Sequence, residues 1–229
     1  LFNFGFYLSN FAKTKERVDE INELHLDEIR EKNLPLNIFL HGIAQNYHTF
    51  LMSTINWFKK NNLIIIPIGY DFREDLDISS RFVKETINLN REISEREKIN
   101  LIGVSYGGLV SRYYSEELNG KEVIDKLITV CTPYTPVSKN NIGYWFAKFL
   151  GGNTKSANRY MELIKGRNSI KNHLAIRPLN DLIIPIDKIE CPNVKEVFVR
   201  GGHHPSSHHP ERLEIIVNYL NEELIKNIS

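Results

Sequence analysis

Six short runs rich in isoleucine, leucine and valine punctuate the chain: Leu36–His41 (LNIFLH), Leu63–Ile68 (LIIIPI), Ile99–Val104 (INLIGV), Lys126–Cys131 (KLITVC), His173–Arg177 (HLAIR) and Glu196–Arg200 (EVFVR). A strand with one wet face alternates apolar and polar residues, whereas these runs are largely unalternating, which predicts strands covered on both faces of a parallel sheet. Parallel neighbours need a long crossover between them. Helix-length patterns fill that role at Thr49–Lys60, Ile78–Glu95 and Leu109–Leu118, and another, Glu211–Ile228, closes the chain. In the second, Ile78, Phe82, Ile87 and Ile93 are read as one apolar stripe. In the last, Leu213, Ile216, Val217, Leu220 and Leu224 recur with helical spacing behind Pro210, a residue suited to a helix start. The expected architecture is α/β: a doubly wound, mostly parallel sheet of about six strands with helices on both faces. Ligands bind such sheets at the carboxyl ends of the strands.

The 229 residues, 41% hydrophobic and 25% charged, suffice for one sizeable core. The chain is read as one domain spanning 1–229, in which 1–33 is an extension containing a charged helix at Lys13–Lys32. A net charge of +1 without a basic run gives no electrostatic ground for a nucleic-acid partner. Cys131 and Cys191 are read as small buried residues; two cysteines make no disulfide framework and set no compartment. No window approaches the ~18 apolar residues of a membrane span. The aromatic opening LFNFGFYLSNF lacks the basic start and cleavage site of a secretory leader. Residues Thr135–Lys171 are too long for a plain strand-to-helix connection and contain IGYWFAKFL followed by Gly151-Gly152.

Polar residues cluster where the predicted strands stop. INLIGV runs into Ser105-Tyr106-Gly107-Gly108 and at once becomes helical. Glycines on both sides of one serine permit a very tight corner that lifts the hydroxyl above the sheet, with a helix N-terminus beneath it. The plainer reading of the serine is a helix cap. His41-Gly42 end the first strand, and the bare backbone at Ile43 can supply one amide toward an oxyanion, with Tyr106 supplying a second. His41 falls before that loop and is read as structural. Asp181 follows the fifth strand on a turn marked by Pro178 and Asn180. Four histidines, His203, His204, His208 and His209, follow the sixth. Close histidines are also a metal pattern, but Pro205 breaks any regular ligand face and no cysteine accompanies them, so no metal is expected. The order Ser105, Asp181, histidine, each after a different strand, sets a nucleophile, an acid and a base in sequence.

With these residues in view the sequence resembles the α/β-hydrolase superfamily, and within it the small lipases and esterases. The matching stretches are LHGI (Leu40–Ile43), LIGVSYGG (Leu101–Gly108), TVCTPYTP (Thr129–Pro136), NDLIIP (Asn180–Pro185) and GHHPSSHHPE (Gly202–Glu211). The last of these aligns His203, rather than His204, His208 or His209, with the family base. The resemblance implies cleavage of a small-molecule ester or lipid by Ser105, His203 and Asp181, with backbone amides of Ile43 and Tyr106 at the oxyanion and no cofactor. It further implies that the insertion 135–171 forms a lid touching a lipid interface transiently, with Tyr134, Tyr144, Trp145 and Phe146 (and Phe149 in the same cluster) against the substrate. Thioester cleavage or acyl transfer by the same residues is the alternative within enzymes. A binding protein that kept the fold is the alternative outside them.

Overall fold

A computed structural model describes residues 22–43, 49–140, 144–145, 148, 151–184, 189–203 and 210–221. Six strands, β1 (Leu36–Leu40), β2 (Ile65–Ile68), β3 (Ile99–Val104), β4 (Ile124–Val130), β5 (Asn172–Pro178) and β6 (Val194–Val199), form one sheet in the order β2-β1-β3-β4-β5-β6. Every pairing is parallel. The predicted runs and these strands coincide to within about two residues at each end, the usual uncertainty of an element boundary.

Why the runs do not alternate is visible in the packing. In β1, Ile38 and Leu40 join one apolar cluster while Phe39, between them, joins the other. The first face is covered by four helices. These are α1 (residues 22–31), α3 (Leu76–Ser94), α4 (Tyr106–Glu117) and α5 (Thr154–Leu163), which contribute Leu26 and Ile29, Val83 and Ile87, Leu109 and Val110, and Ala157 and Met161 respectively. The opposite face is covered by α2 (Thr49–Lys60) and α6 (Pro210–Leu220), through Ile55 and Phe58 and through Leu213, Ile216 and Tyr219.

Three expectations need correction or completion. Of the stripe assigned to α3, Ile87 is in the core and Ile93 packs against it, but the N-terminal half is not on the core face. Ile78 and Phe82 are about half exposed, and the buried residues are Leu76, Ser79, Ser80, Val83, Ile87, Asn90 and Ser94. Small polar residues let α3 approach its neighbours closely, and a search for large apolar side chains passes over them. The segment 135–171 is not all lid. Its second half contains α5, capped by Asn153 accepting from Ser156 N–H, while the Ser156 hydroxyl accepts from the Leu76 amide at 3.0 Å. Ala157, Met161 and Ile164 are buried there, so this stretch belongs to the core. Finally, the described part of the charged N-terminal helix has a packing function, since Leu26 and Ile29 are buried and Asn22 donates to the Pro67 carbonyl of β2. Among the described residues no helix is long and apolar enough to cross a membrane.

Candidate active site

The corner at Ser105 is built by its glycines. A Cβ on Gly103 would come within 2.6 Å of the Gly107 carbonyl oxygen and the Gly108 backbone, and one on Gly107 within 2.6 Å of the His41 carbonyl oxygen. Such approaches are closed to any side chain. They allow α4 to start directly above β3 and press its first turn on the end of β1. Ser105 itself takes φ 52°, ψ −114°, a backbone state that L residues rarely adopt. Its amide donates to the Val130 carbonyl at 2.7 Å and its carbonyl accepts from the Gly108 amide at 3.1 Å, which over-determine the turn. The side chain makes no capping hydrogen bond, so the plainer reading of this serine does not describe it.

What the hydroxyl does meet lies 98 residues away. Ser105 Oγ is 3.1 Å from His203 Nε2. His203 Nδ1 is 2.8 Å from Asp181 Oδ2, and with the proton on Nδ1 it donates to the carboxylate and leaves Nε2 to accept from Oγ. The other carboxylate oxygen, Oδ1, accepts from the amides of Ile183 at 2.9 Å and Ile184 at 2.8 Å. The Asp181 side chain is only 2% exposed. Its loop is tied to the loop of the base, because the Leu179 amide donates to the Val199 carbonyl and the Asn180 amide to the Gly201 carbonyl. Three residues expected from sequence to act together are thus aligned at the carboxyl ends of β3, β5 and β6. His204, His208 and His209 lie outside the described residues.

The loop after β1 is braced from β2. His41 is buried, its ring stacks on Tyr70 with centroids 4.5 Å apart, and Nε2 accepts from the Tyr70 amide at 3.4 Å. With Nδ1 2.8 Å from the Gly42 carbonyl, the ring is a neutral Nδ1–H tautomer, and burial holds its pKa below the ordinary histidine value. The Tyr70 hydroxyl donates to the His41 carbonyl. Ile43 comes next at half-buried depth, and the Tyr106 amide, in the first turn of α4, has no intrahelical acceptor. Tyr70 was not legible as a site residue; its only sequence signal is a Gly-Tyr pair just past a strand end.

Tyr134 is buried. It is 6% exposed, its hydroxyl lies 2.7 Å from Thr129 Oγ1 and 3.0 Å from His173 Nε2, and the Arg112 guanidinium sits 4.2 Å over its ring. Burial pushes its phenol up to about 12. It packs between Thr129 of β4, His173 of β5 and Arg112 of α4. Trp145 is 55% exposed, edge-to-face with Tyr144, and its indole N–H donates to the Lys139 carbonyl at 2.7 Å. Phe146 and Phe149 lie outside the described residues. One group of metal-ligand type gathers among the described residues, the donor atoms of Cys131, Asp181 and His203 lying within 4.8 Å of one another. Two of the three already bond each other, and the Arg212 guanidinium stands 3.8 Å from the Cys131 sulfur, where its charge opposes a cation.

Solved structures share this architecture. A metagenome-derived lipolytic enzyme superposes with a TM-score of 0.61 at 8% identity, covering 83% of this chain and 94% of its own. A carboxylesterase of the thaumarchaeon Nitrososphaera gargenis gives 0.60 at 12% identity, covering 85% and 92%. The epoxide hydrolase of Bacillus megaterium gives 0.56 at 16%, covering 82% and 93%. No curated protein matches the sequence. The sheet order and the serine corner define an α/β-hydrolase. Residues 37–174 match the sequence profile of the palmitoyl protein thioesterases, and the chain belongs to that family. The match takes in Ser105, while Asp181 and His203 lie beyond it.

Proposed function

We propose that this hydrolase cleaves carboxylic acyl esters through a covalent acyl-enzyme on Ser105. The observation that carries the reading is the continuous hydrogen-bonded line from Ser105 Oγ through His203 to Asp181. His203 Nε2 takes the hydroxyl proton as Oγ attacks the carbonyl, and the imidazolium so formed returns it to the leaving alcohol. Asp181, held by two amides, keeps the proton on Nδ1 and stabilises the imidazolium. Water then attacks the acyl-enzyme with His203 again as base. The Ile43 and Tyr106 amides hold the oxyanion; loss of one such donor costs about 10²- to 10³-fold in rate.

An apolar acyl group fits the surroundings. Leu179 and Leu182 flank the acid and are 53% and 82% exposed, and Trp145 is exposed with Tyr144 against it. We assign Tyr144 and Trp145 to contacts with the acyl chain or a lipid interface. Thioester cleavage is the second reading, favoured by the family match, and uses the same groups because only the leaving atom differs.

Ser105→Ala tests the reading. The variant should lose turnover of short aryl esters and labelling by a fluorophosphonate while unfolding at the wild-type temperature. Retained turnover would overturn it. A panel of oxoesters and thioesters matched in acyl chain then ranks the two leaving groups.

A further inference from the structure

Arg212 is costly where it stands. It lies in the first turn of α6 and is 1% exposed. No carboxylate among the described residues pairs with it, and its Nε–H, also buried, has no acceptor among them. Withdrawing a guanidinium from water costs several kcal/mol (order of magnitude). The first turn of a helix is also its positive end, which disfavours a cation. An apolar side chain of equal length would spare that cost but would leave the backbone carbonyls that the guanidinium meets without its donors.

Its donors account for it. Nη2 donates to the Gly202 carbonyl at 2.8 Å and reaches the Arg200 carbonyl at 3.5 Å, while Nη1 lies 3.8 Å from Cys131 Sγ. Gly202 immediately precedes His203. The connection from β6 to the imidazole is Arg200-Gly201-Gly202, and Gly201 has φ +97°. Two consecutive glycines leave a chain more conformational freedom than any other pair. The Asn180 amide holds the Gly201 carbonyl, and Arg212 meets the carbonyls on either side of it. Cys131 closes the other side, its sulfur within 4.8 Å of both the imidazole and the Asp181 carboxylate.

We propose that Arg212 is a positioning residue for His203. Its guanidinium clamps the glycine hinge through the Arg200 and Gly202 carbonyls and so sets the imidazole at hydrogen-bonding distance from Ser105. It touches no reacting atom. The inference rests on the acyl-hydrolase reading above.

The test compares wild type, Arg212→Met and Arg212→Lys in ester kinetics, fluorophosphonate labelling rate and thermal unfolding. A displacement of 1 Å at a reacting group costs ~10²-fold. Arg212→Met should therefore lower kcat and the labelling rate about 10- to 100-fold, with KM within about twofold of wild type. Its unfolding temperature is read alongside, because the substitution removes a buried charge but leaves the Gly202 and Arg200 carbonyls without that donor. Arg212→Lys keeps one point-charge donor for Gly202 and should recover part of the lost rate. If Arg212→Met fails to fold, Arg212→Lys decides: a lower kcat at unchanged KM supports the clamp, and wild-type kinetics overturn it. Wild-type rates in Arg212→Met, or rates that fall only in step with thermal stability, also overturn it. A wild type not labelled at Ser105 would remove the hydrolase reading and this inference together, whereas a labelled wild type with an unaffected Arg212→Met removes this inference alone.

Discussion

Replacing Asp181 by asparagine exchanges one carboxylate oxygen for an NH2, and the neighbouring amides decide which one. Oδ1 accepts two amide hydrogens, from Ile183 and Ile184. An asparagine must therefore keep its carbonyl oxygen at that position and turn its NH2 toward His203. The imidazole Nδ1, 2.8 Å away, then has to accept rather than donate, and the ring proton moves to Nε2. In that tautomer Nε2 cannot take the Ser105 proton. To recover the productive tautomer the amide must flip, which sets its NH2 against two partly buried amides. Each unsatisfied donor costs about 1–3 kcal/mol, or roughly 2–6 kcal/mol for both. At about 1.4 kcal/mol per factor of ten, Asp181→Asn should lose roughly 30- to 10⁴-fold in kcat. The steady-state rate on an aryl ester and the second-order rate of fluorophosphonate labelling should fall together, because both need a proton removed from Ser105. Thermal unfolding should barely move, since the substitution conserves shape. A loss below tenfold in a folded variant would refute the tautomer argument and shift the acid to another residue.

Backbone strain and burial each give a further expected outcome. Ser105→Gly should be inactive yet more stable than Ser105→Ala. The positive-φ state costs a side-chain-bearing residue about 1–3 kcal/mol, and glycine gives back only ~0.4–1 kcal/mol through its freer unfolded chain. Thermal unfolding of the pair measures this, with glycine higher by about 2–4 °C expected. His173 is the second case. Its Nδ1 meets Asn168 Oδ1 and its Nε2 the hydroxyls of Thr129 and Tyr134, and burial, with Arg112 adding to it, depresses its pKa to about 3. Between pH 6.5 and 3 the unfolded chain binds a proton there that the folded chain does not, so stability falls as pH falls through that window. From about pH 7 to about pH 5 this amounts to about 2 kcal/mol. Denaturant titrations of wild type and His173→Gln should show a smaller pH-dependent loss in the variant, and equal losses would contradict the burial argument.

Much of the fold could be read because parallel strands buried on both faces leave a plain signature of isoleucine, leucine and valine. The serine corner was legible for a related reason, since only glycine tolerates backbone approaches of 2.6 Å, and Gly103 and Gly107 mark them in the sequence. Ile78 and Phe82 of α3 and the buried α5 were misread because serines and an asparagine share the core face of the first with its apolar residues and the second lies inside a long aromatic-bearing connection. The packing of the Tyr134 ring under Arg112 was not legible, because nothing local indicates it.

The sequence by itself determined the alternation of elements, the tight turn at Ser105 and the order in which serine, aspartate and histidine are met along the chain. These are local properties, set by side-chain size, backbone freedom and spacing. The contact between His203 and Ser105 and the burial of Arg212 behind Gly202 were decided only by the tertiary structure. The first joins segments 98 residues apart and the second joins two elements across a loop, and contacts of that kind leave no pattern in the residues that make them.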